Sequence, residues 1–131
     1  MRVMIDTNIL VSALLFPSER MDQLLYKIIT DYRLVLSSYV IDELLEVTRR
    51  KFKGKAEAVD ALLSQLPYEL VYTPKRPQPG LFEIRDATDY PVLYSAIAEG
   101  VDVFITGDRD FETLDLETPE ILTPAVFLEK Y

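Results

Sequence analysis

The sequence predicts an α/β fold with a parallel sheet covered by helices on both faces, and three observations carry that reading. Short apolar runs recur without polar alternation, as strands buried on both faces require. Segments of helical periodicity separate them, and turn residues bound both kinds of segment. Strands that alternate with helices in this way argue for a parallel sheet.

Taken in order, the strands are expected at 2–6 (RVMID), 34–37 (LVLS), 69–72 (ELVY) and 102–106 (DVFIT), with 120–122 (EIL) as a fifth. The helices are expected at 8–15, 20–31, 39–52, 55–66, 90–99 and 124–130. Thr7 or Asn8 can start the first helix, which leaves Asp6 free at the end of the first strand. Ser38 can cap the third helix. Thr123-Pro124 places proline in the first turn of the last one. Gly100 follows the 90–99 pattern, where a C-terminal cap belongs. The clearest loop is YTPKRPQPG, 72–80, with three prolines and a glycine. It does not separate two domains, because neither half would bury much of a core, so 1–131 is read as one domain.

Composition narrows the chemistry. The chain has 131 residues, 49% of them apolar, which suits a folded globule with a real core. No apolar run reaches the roughly 18 residues of a membrane span. No basic segment followed by a cleavage site precedes the first strand, so the expected location is cytoplasmic. There is no cysteine and no histidine. That removes disulfides, thiolate sites, histidine-ligated zinc and imidazole catalysis. The 22 acidic residues remain, and carboxylate oxygens are natural ligands for Mg²⁺ or Mn²⁺. The net charge of −8 argues against general nucleic-acid binding. A local basic strip, Arg49, Arg50, Lys51, Lys53 and Lys55, and the pair Lys75 and Arg76 leave room for contact with a phosphate backbone.

In a parallel sheet, ligands bind outside the carboxyl ends of the strands, where the strand order reverses. Asp6 stands at one such end and Thr106-Gly107-Asp108 at another. Helix capping would explain one polar residue in VMIDTNILVSALLF, but not a run of three. A carboxylate between Ile5 and Ile9 is costly to bury unless it is paired or bound to a metal. In SYVIDELLEVTRRKF, Val40, Ile41, Leu44, Leu45 and Val47 form one stripe at about 100° per residue. Asp42 and Glu46 project away from it, and Glu43 lies on its flank, at the boundary between core and cleft. Asp86 and Asp89 precede the 90–99 helix, where acids suit the helix dipole. Asp89 is nearer the helix start and is preferred as a site residue, with Asp86 as the other candidate. After Thr106, Gly107 permits a tight turn, Asp108 follows, and Asp110 is a further acid nearby. Acids from four segments could thus converge on one pole, as hydrolysis of phosphodiesters with a divalent cation needs. The cation relieves their repulsion, lowers the pKa of a bound water and stabilises charge on the phosphate.

The run MIDTNIL, the helix acid in SSYVIDELLEV, and RDATDYPVLYSAIAEGVDVFITGDRDF, in this order, resemble a PIN-domain ribonuclease. Within that family the resemblance is to the VapC-like toxins of bacterial and archaeal type II toxin–antitoxin systems, and it covers essentially the whole chain. It implies a three-layer α/β/α sandwich with a central parallel sheet of four or five strands, and Mg²⁺- or Mn²⁺-dependent cleavage of RNA. By the same resemblance the four acids match Asp6, Glu43, Asp89 and Asp108, with Asn8 and Thr106 at supporting polar positions. Relatives often carry adjacent acids where this chain has Asp89-Tyr90, so Asp86 stays open as the third ligand and Asp110 as a substitute or aid for Asp108. An antitoxin partner and a homodimer are further implications. Arg49, Arg50, Lys51 and Lys53 are the residues expected to meet the RNA backbone.

Two other classes compete. A catalytically silent PIN-like module in an RNA-associated complex would keep the fold without the chemistry, and the full set of acids disfavours it. Aspartyl-phosphate chemistry also uses an acid after the first strand. Haloacid-dehalogenase-like enzymes want a second aspartate where this chain has Asn8, and receiver domains want an acid pair and a late lysine that are not seen here.

Overall fold

A computed structural model describes residues 1–131. Five strands, β1 (Arg2–Ile5), β2 (Arg33–Ser37), β3 (Glu69–Val71), β4 (Val103–Ile105) and β5 (Glu120–Leu122), form one sheet in the order β3-β2-β1-β4-β5. Every neighbouring pair is parallel. Six helices connect and cover them: α1 (Thr7–Leu15), α2 (Glu19–Asp31), α3 (Ser38–Lys51), α4 (Ala56–Gln65), α5 (Tyr90–Ala98) and α6 (Pro124–Lys130). This is the α/β/α sandwich with five strands. None of the helices is long and apolar enough to cross a membrane.

Burial explains why the unalternated runs became strands. Val3, Met4 and Ile5 of β1 and Val103, Phe104 and Ile105 of β4 are all buried. Both faces of these central strands are covered, so both sets of side chains are apolar. They belong to one cluster of 24 buried residues. The edge strands β3 and β5 are only partly buried. Phe104 is fully buried against Phe111, ring centroids 5.3 Å apart, and truncating it to alanine would cost about 3–5 kcal/mol.

Several caps differ from expectation by one residue. Asp6 itself is the N-cap of α1, and its side chain accepts from the Thr7 amide. Neither Thr7 nor Asn8 serves as the cap. Ser37, not Ser38, caps α3, its Oγ accepting from the Val40 amide at 3.2 Å. Ser38 Oγ instead accepts from the Thr73 amide at 2.9 Å, which stitches the loop after β3 to the start of α3. Thr123 caps α6 with Pro124 in its first turn. Gly100 closes α5 at φ 65°, donating to Ile97 O while Val101 donates to Ala96 O. These two bonds make the Schellman motif, in which the left-handed residue favours glycine. Along α3, the inner face is Val40, Leu44 and Thr48, spaced by four, while Leu45 is exposed rather than part of the apolar stripe.

Candidate metal and active site

The strand order reverses between β1 and β4, so this is the switch point of the sheet. Ile5 pairs with Ile105 in register, and the Asp6 amide donates to Ile105 O at 2.9 Å. Asp6 and Thr106 therefore leave the sheet side by side. Asp6 is only 5% exposed. Its Oδ1 accepts from the Thr7 amide at 2.7 Å, and its Oδ2 from Thr106 Oγ1 at 2.8 Å. Thr106 Oγ1 in turn accepts from the Asp108 amide at 3.1 Å, so one hydroxyl ties Asp6 to Asp108. Gly107, expected to allow the turn, has no positive φ, and a Cβ there would meet only Ile9 Cδ1 at 4.0 Å. The turn rests on the Thr106 hydroxyl instead.

The second turn of α3 and the N-terminus of α5 complete the pole. Glu43 is half-buried, and its Oε1 accepts from Thr7 Oγ1 at 2.7 Å. Asn8 is exposed, and it is Thr7 that reaches the neighbouring acid. Asp42 and Glu46 are exposed, as their angular positions require. Tyr39 lies four residues before Glu43 on the same helix face, and its hydroxyl donates to Thr88 O at 3.1 Å. Thr7 and Tyr39 are contacts that the sequence reading missed. The i, i+4 spacing of Tyr39 and Glu43 is the signal that could have found the tyrosine.

Asp86 and Asp89 divide their tasks. Asp86 is exposed and caps the short helical turn Ala87–Asp89, its Oδ1 accepting from the Thr88 amide at 3.0 Å and from Thr88 Oγ1 at 2.7 Å. Asp89 turns inward. It, Asp108 and Asp110 each offer a carboxylate oxygen, all within 4.8 Å of one another. Asp110 is held there because its amide donates to Asp108 Oδ1 at 2.9 Å. This tightest group of three thus contains Asp110 and omits Asp6 and Glu43, which stand behind it on their threonine contacts.

The electrostatics follow from burial and from acid beside acid. Burial raises the pKa of Asp6 above its ordinary value, the charge of Asp108 adds to the rise, and the bonds from Thr106 and Thr7 oppose it. Burial also raises Glu43, helped by Asp6 and opposed by Thr7. Asp89 is pushed up to about 7 by burial and by the charges of Asp108, Asp86 and Asp6. Tyr39 is raised by burial and by the charges of Glu43, Asp89, Asp86 and Asp6. Asp86 moves the other way, lowered by its bonds to Thr88.

The donor set fits a hard divalent cation. All its ligand atoms are carboxylate oxygens, the donors Mg²⁺ and Mn²⁺ prefer. Asp89 Oδ2 is buried with no hydrogen-bond partner, which is costly for a carboxylate unless a cation meets it. The nearest cationic side chain, Arg85, has its Nε 3.7 Å from Asp110 Oδ1 and is 88% exposed. It does not neutralise three carboxylates. The basic strip Arg49, Arg50, Lys51 and Lys53 lies elsewhere. α3 runs back from the carboxyl end of β2, and at about 1.5 Å per residue Arg49 and Lys51 lie roughly 9 and 12 Å along its axis from Glu43. Arg50 is 3.8 Å from Glu46 there.

Comparison with known proteins agrees with this geometry. No curated protein matches the sequence. A solved chain from VapBC2 of Rickettsia felis, bound to a DNA fragment from their promoter, superposes with a TM-score of 0.70 at 21% identity. The match covers 93% of this chain and 97% of that one, and at this identity it establishes the fold. The model of the PIN domain family matches residues 2–110, which span β1 to Asp110 and hold every acid described above. This chain belongs to the PIN domain family.

Proposed function

We propose that the protein is a divalent-cation-dependent endoribonuclease that hydrolyses RNA phosphodiester bonds, and that it is the toxin of a toxin–antitoxin pair. Membership of the PIN domain family supports a nuclease. The observation that carries the finer reading is the acid pole, where three carboxylates crowd within 4.8 Å and one buried oxygen has no partner. Asp6, Glu43, Asp89 and Asp108 would hold the cation, directly or through waters, with Asp110 completing the tight group. When bound, Mg²⁺ or Mn²⁺ supplies Lewis-acid polarisation of a phosphate and a lowered pKa for water.

The chain's own residues prepare that chemistry. Thr106 fixes one oxygen of Asp6 and the backbone of Asp108 together, so the two strand ends keep one spacing. Thr7 orients the Glu43 carboxylate. Hydroxyls that aim ligands in this way act as the outer shell of a metal site. Asp89 keeps a proton up to about pH 7, and gives it up when positive charge arrives. The toxin assignment rests on the resemblance of the sequence to VapC-like proteins and on the VapBC2 fold match. An antitoxin chain, and a second copy of this chain, are the partners it entails.

Purified protein is expected to cleave single-stranded RNA with Mn²⁺ or Mg²⁺, and to lose that activity with excess EDTA or on Asp6→Asn. Undiminished cleavage in either condition would overturn the mechanism. A small upstream reading frame with a DNA-binding N-terminus, whose product co-purifies with this chain, is the expected sign of the antitoxin.

A further inference from the structure

Beside the acids runs a trough that the proposed hydrolysis does not use. The loop after β3 packs against the first turn of α5 and forms with it an open cavity of about 640 Å³, the largest in the molecule, with Pro77, Phe82, Glu83, Tyr90 and Pro91 among its walls. Phe82 and Tyr90 stack at 4.4 Å with their planes 16° apart. The Tyr90 hydroxyl donates to Gln78 O at 2.5 Å and accepts from the Leu81 amide at 3.2 Å, which pins the loop to the rings. Tyr90 directly follows Asp89, the acid with the unpartnered oxygen. Pro77 and Pro91 also line an adjoining cavity of about 210 Å³, where Tyr39 and Lys75 stand. The trough therefore runs from a lysine to a pair of stacked rings, and the residue before Tyr90 in its wall is Asp89 of the acid pole.

We propose that this trough is a nucleobase subsite, in which an unpaired base beside the cleaved phosphate enters the larger cavity and stacks on the outer face of Phe82, which Tyr90 and then Tyr94 back, while a neighbouring phosphate meets Lys75. The proposal rests on the nuclease reading and adds where the substrate lies. Apolar walls with one carboxylate, Glu83, repel a phosphate but accept a base, whose exocyclic amine that carboxylate can meet. Aromatic platforms bind bases with little dependence on sequence. Lys75 shares the adjoining cavity with Asp42 and supplies the one positive charge there for a backbone that passes an acidic pole. A base inside a duplex cannot reach such a wall, so the subsite selects unpaired RNA. An apolar peptide would fill the same walls, but nothing in that occupant calls for the lysine at one end.

The test uses single-stranded RNA carrying 2-aminopurine, titrated in Mn²⁺ into full-length Asp6→Asn protein so that the RNA stays intact. Quenching on binding is expected. Adding Phe82→Leu keeps an apolar side chain against the core, on which Phe82 packs, but removes the ring. It is expected to weaken binding about tenfold and abolish the quench, while Phe82→Tyr retains both. Lys75→Ala is expected to reduce the log–log salt slope by about one. Unchanged Mn²⁺ binding by the Phe82 variants made in the protein that keeps Asp6 shows that the acid pole is intact. Wild-type RNA affinity in Phe82→Leu, or loss of antitoxin binding alone, would overturn the subsite while leaving the nuclease reading in place. Absence of Mn²⁺-dependent cleavage by the unaltered protein, together with absence of RNA binding, would overturn both.

Discussion

The two ends of the sheet carry the same kind of residue in opposite states. At the amino ends of the strands Glu69, Glu99, Asp102 and Glu120 each have a partner. Arg2 pairs with Glu69 and lies 3.7 Å from Glu99, Arg33 lies 3.4 Å from Glu69, and the Arg2 amide donates to Asp102 at 2.8 Å. Lys130 pairs with Glu120, which also accepts from the Tyr131 hydroxyl at 2.7 Å. These contacts hold Glu69 and Glu120 below the usual carboxylate range. At the carboxyl ends Asp6, Glu43 and Asp89 are all pushed upward instead, by burial and by one another. A fold under selection for stability alone would give both ends cations. At the switch point the one cation within 4 Å of the acids, Arg85, is largely exposed, and the deficit of positive charge there is what the proposed cation site requires.

The comparison can be broken from either end. The largest effect is expected at Asp6, where Asp6→Asn should lower RNA cleavage by roughly 10²-fold or more while the fold persists, measured by initial rates against thermal melts. Thr7→Val comes next. It removes the hydroxyl that orients Glu43, and should cost about 10–100-fold in activity or Mn²⁺ affinity, read by kinetics and calorimetry.

The pH dependence of stability separates the two ends by sign. Asp89 has a folded pKa of about 7 against an ordinary 3.8, so the folded protein keeps a proton that the unfolded chain has lost. Its contribution therefore makes the metal-free protein less stable as pH rises from about 3.8 to about 7, and Asp6 and Glu43 act in the same direction. Glu69 acts oppositely: its pairing is fully present above its ordinary 4.5 and is lost on acidification through its lowered folded pKa. Melting temperatures with and without Mg²⁺ should converge at low pH and diverge above neutrality, with Mg²⁺ stabilising.

The smallest effect is expected at the paired end. Glu69→Gln should cost under about 1 kcal/mol of stability, because its ion pairs are partly solvated, and should leave RNA cleavage unchanged.

Much of this fold was legible because the central strands are buried on both faces, which writes their positions as plain apolar runs. The five strand and six helix segments each fall within a residue or two of expectation. Caps were less legible. Asp6 both caps α1 and joins the acid pole, since its two oxygens serve different partners. A sequence reading assigns one role per side chain and so gave the cap to Thr7 or Asn8. The choice between Asp86 and Asp89 was open because both suit a helix start, and only the tight turn between them sends one outward and the other inward. Asp110 enters the tight group through its bond to Asp108, a two-residue turn that the spacing permits but does not demand. The trough was not legible at all, since it depends on the loop after β3 reaching across to α5.

Isothermal titration of Mn²⁺ into the metal-free protein near pH 7 tests the contrast most directly. Saturable binding is expected, with heat that depends on the buffer because Asp89 releases its proton, and it should vanish in the double variant Asp89→Asn, Asp108→Asn but persist in Glu69→Gln. No binding at millimolar Mn²⁺, or equal binding in the double variant, would contradict a cation site at the switch point.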